Sequence, residues 1–436
     1  MSMLIVADDL SGAADCAIGF TNAGRRSVVS LDIEGFNATA QVVAIDIDTR
    51  RLSAHEAAAR AVAAWQGLAA PDRRLYKKID STLRGNWVAE VAALQPLAGL
   101  AIVAPAFPAT GRVVRDGEVF VRGVPLAETD TWRLEHDAQE ARLAPMLAAV
   151  GVSAQIVSSD LLRKDFVAAR AALTDVVAQA RANGVMALIV DAQTDDDLVM
   201  LARASVGLTD IFWVGSGGLA RALAEQSALF APTDGTDDTS GKGGKGGMGD
   251  VRDNARATSD AGTTGPLLTL VGSLSAVSQQ QCARLCAEHA VVEWIVPPAV
   301  LRAGASHPDS ARWCAAIGDA IGQGSDLLVR IGRDDAFDPA EGAQLSASLA
   351  ALIAPHFARL SGLVVTGGET ARAMLSAVGI GALELLAEVE PGVAVGRPAN
   401  GAPMRIVTKA GAFGGEAALH SAYRYLRTTP DLRERR

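Results

Sequence analysis

At 436 residues the chain exceeds the size at which one hydrophobic core stops growing, which predicts two domains. Hydrophobic residues make up 49% and charged residues 20%, a globular balance, and the formal charge of -9 argues against general affinity for nucleic acid or an anionic membrane. Cys16, Cys282, Cys286 and Cys314 form no disulfide framework and lack paired zinc spacings, no apolar run reaches membrane-spanning length, and the start MSMLIVADDL lacks a basic signal-peptide region, so a cytoplasmic enzyme or binding protein is expected.

In chain order, short β-branched runs alternate with Ala-rich helical stretches, which predicts an α/β fold of two domains, each with a mostly parallel sheet flanked by helices. The strand MLIVA runs into Asp8 and Asp9, followed by Ser11, Gly12 and a helix. In open parallel sheets ligands gather beyond the carboxyl ends of strands, so these carboxylates are candidates to orient or deprotonate a hydroxyl; the plain alternative makes Asp9 or Ser11 a helix N-cap. After SVVSL, the strand VVAID ends in Asp46, Asp48, Thr49 and Arg50, where a guanidinium fork suits a carboxylate and a surface salt bridge is the competing use. LYKKIDSTLRGNW then places Lys77, Lys78, Asp80, Ser81, Thr82, Leu83 and Arg84 at a strand-to-helix turn, with Asn86 as cap. Amides, hydroxyls and a guanidinium converging at a helix start make an anion site.

AIVAP follows, then VVRDGEVFV, which reads as a hairpin turning at Asp116-Gly117. MALIVD and IFWVG lead to GSGGLA at Gly215 to Ala220, a formal dinucleotide pattern whose acidic partner would fall in a Gly-rich stretch; a tight turn packing its helix is favoured. Residues 232–265, with almost no large apolar side chain, are expected to form a flexible linker between domains 1–231 and 266–430.

Beyond it LLTLVGS, VVEWIV, DLLVRI, GLVVTGG and MRIVTKAG read as strands. Three of their junctions, VGSLSAVSQQQ, VVTGGETARAML and VTKAGAFGGEAAL, offer amides and hydroxyls for phosphate oxygens, with Gly367, Gly368, Gly411, Gly414 and Gly415 permitting close approach. Ser278 with Gln281 fits a capping box, leaving Ser273 and Ser275 in the loop, and Lys409 supplies local positive charge. Glu369 suits a ribose hydroxyl or, through water, a magnesium ion.

The ordered set ADDLSGAADCA, IDIDTR, KKIDSTLRGN, PAFPATGR, GSGGLA, GSLS, VVTGGET, EVEPGV and KAGAFG resembles the four-carbon acid sugar kinases over nearly the whole chain. The resemblance implies a sugar-acid-binding N-terminal domain, a nucleotide-binding C-terminal domain, and ATP-dependent phosphorylation of the terminal hydroxyl of D-threonate, D-erythronate or 3-oxo-tetronate. D-threonate comes first because ADDLSGAADCA looks most like that branch. Carried over, substrate contacts fall on Asp9, Arg50, Ser81, Thr82, Leu83 and Arg84, and ATP contacts on Ser273, Gly367, Gly368, Glu369, Thr370 and Gly411. Asp8 or Asp9 is the expected catalytic carboxylate. Phosphoryl transfer makes magnesium an expected cofactor, with its ligands and the oligomeric state left open. Asp46-Ile47-Asp48-Thr49-Arg50 replaces the family's usual Asp-Thr-Asp-Ser-Arg and keeps Arg50. The rivals are a nicotinamide-dependent dehydrogenase built on GSGGLA and a non-catalytic sugar-acid sensor.

Overall fold

The computed structural model describes residues 2–33, 40–133, 141–230, 265–336, 338, 341–411 and 414–429; the expected linker lies outside them except for Gly265. Before that segment the strands are β1 (Ser2–Ala7), β2 (Ser27–Ser30), β3 (Val42–Asp46), β4 (Arg73–Lys78), β5 (Leu100–Ala104), β6 (Arg112–Arg115), β7 (Glu118–Val121), β8 (Val124–Pro125), β9 (Ala154–Val157), β10 (Ala187–Val190) and β11 (Ile211–Gly215). After it come β12 (Leu267–Val271), β13 (Val291–Val296), β14 (Asp326–Ile331), β15 (Gly362–Thr366), β16 (Ala382–Glu390), β17 (Val393–Pro398) and β18 (Arg405–Lys409). Every strand expected from the sequence is present.

The first half holds the parallel order β2-β3-β1-β4-β11-β5-β10-β9, and the second holds the parallel order β13-β14-β12-β15-β18. Helices cover both faces, so the central strands read as continuous apolar runs; Met3 to Ala7 of β1 are fully buried. The two sheets are one. The hairpin β16–β17 pairs with β18 on one side, and β16 pairs antiparallel with β2 on the other through Ala382 opposite Ser30 and Leu383 opposite Val29. A single hydrophobic cluster accordingly runs from Leu4 and Ile5 to Leu268 and Leu363. The three antiparallel pairings from β2 through β16 and β17 to β18 leave the two parallel sets pointing in opposite senses.

The hairpin after β5 turns at Asp116 and Gly117, at φ 52° and 70°, the left-handed pair that a two-residue loop requires, and β8 adds a third strand. Both turn amides donate to the Asp191 carboxylate, at 2.9 and 3.0 Å. The GSGGLA segment is the expected tight turn: a Cβ on Gly218 would lie 2.6 Å from the Ala106 carbonyl oxygen. Cys282 is core, 2% exposed, its thiol pushed up to about 12 by burial. Among the described residues no group of His, Cys, Asp or Glu is arranged to hold a metal ion, and no helix is long and apolar enough to cross a membrane.

Candidate active site

The loops after β1, β3 and β4 and those after β12, β15 and β18 line one cavity of about 730 Å³ between the two halves. Asp9 caps the helix Leu10–Asn22, its Oδ1 accepting from the Gly12 amide at 2.9 Å. The capping reading is therefore right, and Asp9 also lines the cavity. Asp8 is 3% exposed; its Oδ2 accepts from Arg50 Nε at 2.9 Å, while its Oδ1 has no hydrogen-bond partner among the described residues. Burial raises this carboxyl, but Arg50, Lys78 and Lys77 outweigh burial and hold it below the usual range. Arg50 also reaches Asp9 Oδ2 at 3.2 Å, so the guanidinium bridges both carboxylates rather than forming a surface salt bridge.

The next loop folds around Asp80. Its carboxylate accepts from the Thr82 amide at 3.1 Å, the Thr82 hydroxyl, and Arg84 Nε and Nη2 at 2.9 and 3.0 Å. Burial raises Asp80, and Arg84, with Arg50 and Lys78, more than reverses this, leaving it well below the usual carboxylate range. Ser81, Thr82 and Arg84 line the cavity. Leu83 does not: it adopts φ 60° and its side chain is wholly buried. Asn86 stands at the N-cap of the helix Trp87–Ala98 without capping it; its side-chain amide donates instead to the carbonyls of Thr49 and Leu52, tying two site loops together. Beneath them Lys77 Nζ pairs with Glu90 Oε2 at 2.8 Å, both wholly buried, and Glu90 also accepts from Thr49.

In the second half, the three Gly-rich turns meet as expected. A Cβ on Gly272 would collide with Thr370 Oγ1, and one on Gly411 would lie 3.0 Å from Ser273 Oγ, so glycine lets these turns close on one another. Gly367 has φ 98°, a conformation only glycine adopts readily, and it starts the helix Gly368–Ala377. Ser273, Gly367, Gly368, Glu369, Thr370 and Gly411 all line the cavity. The expected capping box fails: Ser275 is the N-cap and accepts from the Ser278 amide at 3.1 Å, while Ser278 and Gln281 donate to the carbonyls of Gly411 and Gly415. These side chains fasten two phosphate-type turns together instead. Lys409 is 1% exposed with Nζ donating to the carbonyls of Ala410 and Gly411, both at 2.8 Å; it shapes the turn and does not project into the cavity.

The two halves touch inside the cavity. A Cβ on Gly368 would lie 3.1 Å from Asp9 Oδ2 and 3.3 Å from Ser11 Oγ. Arg51 bridges to both oxygens of Glu369, so that carboxylate is an inter-half ion pair. Arg372 reaches Asp46 Oδ2 at 2.8 Å and the Leu31 carbonyl at 3.1 Å. The sequence reasoning assigned no role to Arg112, which lines the cavity from the hairpin, or to Arg372. PAFPATGR was a visible motif, but a hairpin's direction relative to the sheet is not written in local pattern.

Fold and site together define a two-lobed α/β protein whose cleft is lined by the Ser81 to Arg84 loop on one wall and by glycine-rich turns on the other. The chain matches two family models, a sugar-binding N-terminal domain over residues 3–223 and a nucleotide-binding C-terminal domain over residues 268–419. It is 52% identical to a D-threonate kinase of Cupriavidus necator, covering 97% of both chains. It is 32% identical to a 3-oxo-tetronate kinase of Methylobacterium radiotolerans, covering 94% of this chain and 96% of the relative. A solved structure from Salmonella typhimurium LT2, 21% identical, superposes with a TM-score of 0.77 over 97% of this chain and 99% of its own, which shows the shared fold. The chain belongs to the four-carbon acid sugar kinases and is a phosphotransferase with an alcohol acceptor.

Proposed function

We propose that the chain transfers the ATP γ-phosphoryl group to the terminal hydroxyl of D-threonate. The observation that carries this is the one cavity lined by Asp9, Arg50, Ser81 and Arg84 from the first half and by Ser273, Gly367, Gly368, Thr370 and Gly411 from the second. The 52% relative supports D-threonate, while the 3-oxo-tetronate kinase at 32% keeps that acid, and D-erythronate with it, as the alternative substrates.

In this reading residues 1–231 bind the acid, residues 266–430 bind the nucleotide, and 232–265 link them. The acid's carboxylate meets the end of the cleft where Arg84, paired with Asp80, and Arg112 lie, while Arg50 bridges Asp8 and Asp9. Its terminal hydroxyl lies against Asp9, which Arg50 orients and which takes the proton as the oxygen attacks. The nucleotide's phosphates rest on the amides of the Gly367 to Thr370 turn and on Ser273. Because Gly368 abuts Asp9, a phosphoryl group at that helix start stands next to the hydroxyl it must meet.

Magnesium fits as an ion carried by the nucleotide. The described residues hold no preformed metal cluster, and this ion is ordinarily bound through phosphates with one or two carboxylates, for which Asp8, with its unpartnered Oδ1, is the candidate. When bound it supplies charge neutralisation on the phosphates. Incubation with ATP, magnesium and D-threonate should yield ADP and a phosphomonoester whose 31P signal couples to the methylene protons of C4. ADP formed at the same rate without the acid, or coupling to a methine proton, contradicts the proposal.

A further inference from the structure

Lys78 is the last residue of β4, in register with Ala7 of β1 and Gly215 of β11, at the centre of the first half's sheet. Alternation sends the neighbouring Lys77 into the core, where Glu90 neutralises it. Lys78 goes the other way, to the cavity wall, and is 6% exposed. Its ammonium makes no hydrogen bond and no ion-pair contact among the described residues. An ammonium at the cavity wall with three donors and no hydrogen-bonded acceptor can turn those donors toward a bound anion. Burial pushes the ammonium down, and Asp8, Asp9 and Asp80 among its neighbours more than reverse this, so it stays charged.

Its position identifies the acceptor. A Cβ on Gly12 would lie 2.6 Å from Lys78 Nζ and 2.5 Å from Asp9 Oδ1, so glycine at position 12 leaves room for the ammonium beside the helix start that Asp9 caps. On the same turn, Ser11 Oγ is buried without a partner, and Ser11 and Asp9 face Gly368 of the second half. Lys78 thus stands at the seam where the two halves meet, next to the carboxylate assigned to the acceptor hydroxyl. In the reading above the substrate carboxylate lies at the other end, by Arg84 and Arg112.

We propose that Lys78 is a further catalytic residue, whose ammonium donates hydrogen bonds to the oxygens of the phosphoryl group in flight. This rests on the kinase reading above. The phosphoryl group leaves the bridging oxygen of ATP, which departs as ADP, and bonds to the terminal hydroxyl oxygen; that hydroxyl's proton goes to Asp9. Lys78 keeps its proton throughout and acts as a fixed positive charge, which a loose phosphoryl transition state rewards more than the ground state does.

The test compares the full-length enzyme with Lys78→Met and Lys78→Arg. If wild type releases no ADP with any four-carbon acid, the kinase reading fails and Lys78 is not at issue. With wild type active, Lys78→Met should lower kcat about 100-fold or more, with KM for ATP and acid changed less than about threefold. Calorimetry should show ADP and D-threonate each binding nearly as in wild type, while the complex of ADP, aluminium fluoride and D-threonate weakens by a factor like that in kcat. The thermal midpoint should fall, because Asp8, Asp9 and Asp80 lose a neighbouring positive charge, so the single-ligand affinities and not the midpoint separate the two roles. A kcat within about threefold of wild type overturns the proposal. So does a loss of kcat that comes with loss of both single ligands, all restored by Lys78→Arg, since that marks a structural counter-charge. A raised KM for the acid at unchanged kcat also overturns it, assigning Lys78 to the substrate carboxylate.

Discussion

Asp9 illustrates how one side chain serves structure and chemistry together: Oδ1 closes the first turn of its helix while Oδ2 faces Arg50 and the second half. Asparagine caps as well as aspartate, so Asp9→Asn should keep unfolding free energy within about 1 kcal/mol of wild type. As the base, its loss should lower kcat about 10²- to 10⁴-fold. Steady-state kinetics beside urea denaturation checks both, and near-normal turnover removes Asp9 from the base role. Lys409 gives a prediction in pH. Burial lowers its ammonium to about 8, against 10.5 for an ordinary lysine, so between these values the folded chain holds fewer protons than the unfolded one and stability rises with pH. Urea midpoints of wild type relative to Lys409→Met should therefore improve from pH 8 to pH 10.5; parallel curves would refute the shift. At this scale much of the site was legible, because Asp8, Asp9, Arg50 and the Ser81 to Arg84 turn all follow strands directly. The parity of Lys77 and Lys78 was not, since either could face the core until the register of β4 is known. Leu83 belongs to the motif by sequence, while its side chain packs inward.

Elements read well where local pattern and tertiary demand agree. The buried parallel strands are apolar throughout, and the Asp116-Gly117 turn carries the left-handed conformations its residue types favour. The strand β16 reads ALELLAEVE, composed of helix formers, and it is a strand only because β17 and β2 pair with it on either side. β9 escaped notice because it is a short edge strand with half-exposed residues. The capping box predicted at Ser278 failed because Ser275, one turn earlier, caps equally well, and only the position of Gly411 makes Ser278 useful elsewhere. The GSGGLA turn makes an element-level prediction. Gly218→Ala would drive a methyl into the Ala106 carbonyl, 2.6 Å away, and should cost about 1–3 kcal/mol in denaturant unfolding. An unchanged midpoint would show that the helix Gly217–Ala224 can shift at no cost.

At the scale of the molecule, the joining of two parallel sheets through β2 and β16 turns two binding surfaces into one cleft. Two domains were legible from length and alternation. Their fusion into one sheet was not, because it depends on pairing between residues more than 350 positions apart, such as Ser30 and Ala382. Arg372 links the halves, and Arg372→Ala would leave the buried Asp46 carboxylate without its partner. A loss of about 1–3 kcal/mol is expected by thermal or urea denaturation, and a neutral effect would show that the halves do not rely on this contact. A coupled ADP-release assay across D-threonate, D-erythronate and 3-oxo-tetronate with ATP and magnesium tests the kinase activity most directly. Acid-dependent ADP release with D-threonate highest in kcat/KM is expected, and release that is absent with all three acids, or indifferent to them, would contradict it.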